Sequence, residues 1–180
     1  MSADPARARN GAQSSVRTTT SSPAERAVGP VSSASGTLEV AQPRAVVWRA
    51  LAVLAPYCPV CDVSYVVTGS GRHTTFVAVP GRLEGDPPAG APRGRILEWA
   101  PGRVVVTSVE LSPETWTTRI ALADTPPGGT RITLTITHEA RGTSRLARLL
   151  HGRAARPVVE RTVRSELDKV PAHVALLGGA

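Results

Sequence analysis

Between Gly94 and Glu139 the chain holds four strand-like runs: Gly94 to Trp99, Val104 to Leu111, Thr115 to Ala123, and Thr130 to Glu139. The turns between them, Pro101-Gly102, Ser112-Pro113 and Pro126-Pro127-Gly128-Gly129, are only a few residues long. Parallel neighbours need a crossover of about a dozen residues or more, so turns this short dictate antiparallel pairing. In the last run Ile132, Leu134, Ile136 and His138 share one face, and Arg131, Thr133, Thr135 and Thr137 share the other. A sheet with one apolar face must be covered on that face.

The C-terminal third supplies the cover. Leu146, Leu149 and Leu150 suit a short helix, and Pro157 suits the first turn of a second. Val159, Val163, Leu167, Val170, Val174 and Leu177 then recur at steps of three and four, the apolar stripe of a long amphipathic helix, with a bend expected at Pro171. About 20 residues at about 1.5 Å each span a sheet of this size.

Ahead of the four runs, Thr37 to Ala41 alternates as a first strand, and Pro43 opens a helical region carrying Val47, Leu51 and Leu54 that ends at Pro56 and Pro59. Val63 to Val67 and His73 to Val79 read as a hairpin around Gly69-Ser70-Gly71, and Gly85 to Pro92 as a loop of breakers. The order is a strand, a helix pair, six strands and a closing helix. Residues 1–35 are Ser-, Thr- and Arg-rich with little apolar surface and are expected to form a disordered tail, leaving one domain over residues 36–178.

Composition removes several function classes. The net charge of +7 invites a nucleic-acid reading, but the basic residues are almost all Arg, with Lys169 the sole Lys. They are scattered and not interleaved with aromatics, so no specific nucleic-acid partner is expected. No run approaches the roughly 18 apolar residues of a membrane span, and the N-terminus lacks a signal-peptide core. With two Cys and no export signal, the expected location is the reducing cytoplasm. Aromatics are only 3%, so the interior is built mainly from Val, Leu, Ile and Ala.

Strand parity names the candidate lining of an interior space. Trp116, Thr118, Ile120 and Leu122 face the same way as Leu134 and His138; Tyr65 and Phe76 belong to the earlier hairpin, and Val159 and Val163 to the closing helix. The same residues could equally fill a solid core. His138 ends the inward row and is a candidate for acid/base work, since an imidazole titrates near neutrality, though it could equally be structural. Glu98 sits where strand parity is ambiguous. Cys58-Pro59-Val60-Cys61 has the spacing of a redox pair or half a zinc site. It follows a helix and leads into a strand, the reverse of the thioredoxin context, and among nearby residues only His73 offers a further ligand. The pair is therefore expected to be free thiols that bind zinc weakly if at all, with no metal and no other cofactor. No Ser-His-Asp order, phosphate loop or carboxylate pair is present.

The chain resembles the START-like helix-grip superfamily, also called SRPBCC, and within it the polyketide cyclase/dehydrase-like branch. The likeness rests on Pro43 to Trp48, Arg93 to Pro101 with Arg103 to Thr107, Gly128 to His138, and Arg161 to Val170, in that order. It implies an α+β fold in which a curved antiparallel sheet of about seven strands wraps around a long C-terminal helix. It also implies a small hydrophobic ligand, lipid- or polyketide-like, held between sheet and helix. Two other functions stay open: a cyclase or aromatase in which His138, Tyr65 or an Arg moves protons, and a thiol- or zinc-dependent regulatory module built on Cys58 and Cys61.

Overall fold

The computed structural model describes residues 31–140 and 145–178, with side chains described over 31–140 and 155–176. Eight strands form one sheet: β1 (Val31–Val40), β2 (Tyr57–Cys58), β3 (Val63–Thr68), β4 (Thr75–Pro80), β5 (Arg93–Ala100), β6 (Val104–Leu111), β7 (Glu114–Thr125) and β8 (Gly129–Ala140). Helix α1 (Arg44–Ala52) lies between β1 and β2, and α2 (Arg145–Gly178) closes the chain. The strand order is β1-β8-β7-β6-β5-β4-β3-β2, every neighbouring pair antiparallel. The curled α+β sheet with its C-terminal helix is the expected architecture, with one strand more than expected.

Four differences from the sequence reading have local causes. The extra strand, β2, is two residues long, too short for an alternation pattern to register. The first strand begins at Val31, before the expected Thr37, because Val31 to Gly36 pair with Glu139 to Leu134 despite their Ser-rich composition; the rest of the expected tail lies outside the described residues. In place of a helix pair there is one helix, α1. Pro56 cannot continue a helix, and its carbonyl accepts from Tyr65 N at 2.9 Å, turning the chain into the sheet. Pro157 and Pro171 both lie inside a continuous α2, so Pro157 does not start a new helix.

The register fixes which residues face the helix. Cross-strand partners share a face, so Gly36, Leu134, Ile120, Val105 and Trp99 form one inward row. Ser32, His138, Trp116, Val109, Gly94 and Phe76 form another. Val159 and Val163 of α2 pack on Leu134 and Ile136, with Ala34, Trp116, Ile120 and Leu167 around them. Val170 and Val174 pack on Ile132, Leu122 and Val47 of α1. Burying each of these side chains contributes about 1.5–3 kcal/mol. A third cluster joins Ala52, Ile96 and Val105 with Trp48 and Trp99, whose rings meet edge to face at 5.1 Å. Between Ile96 and Glu98 the pairing shifts by one residue, which turns Glu98 outward to Arg119 at 3.6 Å. Glu98 is a surface residue.

α2 lies close to the sheet where Gly36 sits. A Cβ at Gly36 would come within 2.7 Å of Leu167 Cδ1 and 3.0 Å of Val163 Cγ1. Gly36→Val should therefore lift the helix and destabilise the fold by about 1–3 kcal/mol. Chemical denaturation measures this, and an unchanged midpoint would show that the helix does not pack on β1.

Candidate functional site

Leu134, Ile136, Val159 and Val163 are all within 4% of full burial and pack directly on one another. This part of the expected lining packs as core, because the helix stripe meets the sheet there. Ile120 packs against the same cluster. Tyr65 and Phe76 lie elsewhere. Their rings meet edge to face at 5.8 Å on the inward side of β3 and β4. Phe76 is buried because its ring lies over Gly94, where a Cβ would overlap it. Val67, directly opposite Phe76 on the same face, is 41% exposed. Among the described residues α2 packs chiefly on β1, β8 and α1, so the inward face of β3 and β4 forms a wall outside the three packed clusters.

One end of the inward rows is polar. Trp116 and His138 are cross-strand partners with ring centroids 4.7 Å apart. Trp116 Nε1 donates to Glu114 Oε2 at 3.2 Å. His138 Nε2 also lies 3.2 Å from that oxygen, but off the hydrogen-bonding direction, so the buried nitrogen has no hydrogen bond among the described residues. A buried imidazole beside a half-exposed carboxylate can hold or move a proton. Sequence reading named His138 and missed Glu114. Glu114 shares the inward parity of Trp116, but its approach to His138 follows from the β7–β8 register, which local sequence does not fix.

The cysteines sit at the other end of the site. Cys58 belongs to β2 and Cys61 to the turn before β3; both are half-buried free thiols. The imidazole beside them is His173 of α2, not His73. Cys58 Sγ lies 3.7 Å from its Nδ1 and Cys61 Sγ 3.3 Å from its Nε2. His73 closes the 3-10 turn Gly71–His73 and is exposed. Burial, then the neighbouring Cys58, pushes the Cys61 thiol up to about 11, and burial lowers His173. Burial also raises Tyr65 to about 12, leaving its phenol neutral near pH 7. On α2, Lys169 Nζ donates to Glu166 Oε1 at 2.6 Å, and both charges act on Cys61. His173 was missed because 112 residues separate it from Cys61.

A hollow of about 350 Å³ lies on the opposite, outward face of β3 to β6, lined by Val66, Thr75, Val77, Arg93, Arg95 and Glu110 among others. Among the described residues no helix is long and apolar enough to cross a membrane.

No family model and no curated protein matches the sequence. Solved structures do. The Zhui aromatase/cyclase from Streptomyces sp. R1128 superposes with a TM-score of 0.60 at 17% identity, covering 81% of this chain and 94% of that one. The shared fold is a curled antiparallel sheet gripping a long C-terminal helix. Ara h 8.0201 shares this grip with a TM-score of 0.57 at 14% identity over 83% of this chain and 99% of its own. The di-domain ARO/CYC StfQ from the steffimycin biosynthetic pathway gives 0.56 at 16% identity. There the grip domain covers 83% of this chain and 53% of the longer one.

The raised Cys61 thiol makes this grip domain a poor thiolate nucleophile. Relative to the ordinary value of 9.0, a value of about 11 lowers the thiolate fraction near neutral pH about a hundredfold. In the reduced, metal-free protein, Cys61 should alkylate far more slowly at pH 7–8 than free cysteine, as read site by site by mass spectrometry. A rate equal to that of free cysteine would contradict the described burial.

Proposed function

We propose that this protein binds a small hydrophobic molecule, lipid- or polyketide-like, against the inward face of β3 and β4. The observation that carries the reading is the apolar wall of Tyr65, Val67 and Phe76, turned to the inside of the grip yet outside its packed clusters. Of these, Val67 is exposed, and apolar surface left open on the concave side of a curled sheet is suited to an apolar ligand, with few polar groups to set its orientation. His138 supplies the polar handle, an imidazole nitrogen without a hydrogen bond, beside the Trp116 ring and the Glu114 carboxylate. The lining is thus narrower than sequence parity suggests. Tyr65, Phe76, Trp116 and His138 remain in it, while Leu134, Val159 and Val163 support it from the core.

A second reading, that the ligand is cyclised or dehydrated, is favoured by one specific feature, the 3.2 Å approach of Glu114 to His138. That pair could pass a proton to or from a carbonyl-bearing chain held on the wall. The aromatase/cyclase names of two similar structures attach to proteins under 20% identical, a likeness of fold.

Val67→Glu tests the binding reading. It places a charge on the wall at a position already 41% exposed, so stability should change by no more than about 0.5 kcal/mol. Uptake of an environment-sensitive apolar dye, clear in the parent, should fall at least about tenfold, as one desolvated charge costs more than 1.4 kcal/mol. Undiminished uptake, or no uptake by the parent, would overturn the assignment.

A further inference from the structure

We propose that Cys58, Cys61 and His173 form a binding site for one zinc ion that ties the C-terminal part of α2 to the β2–β3 turn. One ligand atom from each residue lies within 4.8 Å of the others. Zinc binds thiolate sulfur at about 2.3 Å and imidazole nitrogen at about 2.0–2.1 Å with tetrahedral angles, which puts the two ligands about 3.6 Å apart. The observed sulfur-to-nitrogen separations of 3.7 and 3.3 Å bracket that spacing. The ring meets the two sulfurs through different nitrogens; one ion would take one of them, and a single ring nitrogen does lie within 4.8 Å of both sulfurs.

The donor set selects the metal. Two soft thiolates and an imidazole favour zinc over the hard cations that need oxygen ligands. Two thiolates also neutralise the charge of a divalent cation, and binding releases their protons to solvent. The turn carrying the cysteines is held in place without a metal. Asp62, next to Cys61, has a left-handed backbone with φ of 51°, its carbonyl accepts from Gly81 N at 2.7 Å, and its side chain accepts from Tyr57 Oη at 2.8 Å. An anchored Cys-x-x-Cys turn meeting a histidine from another element is more than spacing alone provides. Three protein ligands leave the fourth position of a tetrahedral site for water or a small exogenous ligand.

This inference stands apart from the hydrophobic-ligand reading, since it uses neither the β3–β4 wall nor His138. The test uses the full chain, purified under reducing conditions, stripped with chelator, reloaded with zinc and passed through gel filtration. One zinc per chain should be retained, and cobalt substitution should give a thiolate-to-metal charge-transfer band and tetrahedral visible absorption. Cys61→Ser and His173→Ala should each weaken zinc binding at least about tenfold, while His73→Ala leaves it unchanged. His173→Cys, which keeps three ligands, should restore binding and serves as the deciding variant if His173→Ala does not fold. Substoichiometric zinc in the parent, binding by His173→Ala equal to the parent's, or failure of folded His173→Cys to bind would each overturn the site.

Discussion

The seating of α2 on β8 and β1 is the interaction on which the rest of the molecule depends. Val159 and Val163 meet Leu134 and Ile136, and Val170 and Val174 meet Ile132 and Leu122. Gly36 lets the helix approach closely at one point of that seam. The seam is one-sided. Among the described residues it uses the β1–β8 end of the sheet, and none of the packed clusters joins the helix to β3 or β4. The division between the packed core and the proposed binding wall follows from which half of the sheet carries the apolar partners of the helix stripe.

The same seating positions both candidate sites. With Val170 and Val174 docked on Ile132 and Val47, His173 is carried to the β2–β3 turn and its two thiols. At the opposite end of the inward rows, β7 and β8 hold Glu114, Trp116 and His138 together. The apolar wall and the thiol–imidazole cluster are neighbours: the two cysteines and Glu166 contribute, after burial, to raising the Tyr65 phenol. An apolar ligand on the wall and a metal at the cysteines would therefore sit in one electrostatic environment.

Much of this was legible in the sequence, and the limits have physical causes. Alternation in β5 to β8 and the three-and-four stripe of α2 are local signals, and short turns leave antiparallel pairing as the one option. The inward parity of Trp116, Ile120, Leu134 and His138 followed directly. The Ser-rich start of β1, Val31 to Gly36, was hidden because its strand character comes from six cross-strand partners on β8, not from its own propensity. Pro157 was read as a helix start because a proline suits a first turn, whereas the packed stripe carries the helix through it. Whether Val163 lines a cavity or fills a core depends on how close α2 sits to β1, which no local pattern encodes. His173 and Glu114 were invisible for a related reason: their roles arise from tertiary register.

The central claim is that the helix-covered half of the inward face is solid core and the β3–β4 half is the binding surface. Methyl-resolved NMR of the full chain, titrated with a small apolar ligand such as the reporter dye, tests it residue by residue. Saturable shifts should concentrate on the methyls of Val67 and Val109 and on the Trp116 indole, while the methyls of Leu134, Val159 and Val163 stay nearly still. Shifts centred on Leu134, Val159 and Val163 would place the ligand between sheet and helix and contradict the account.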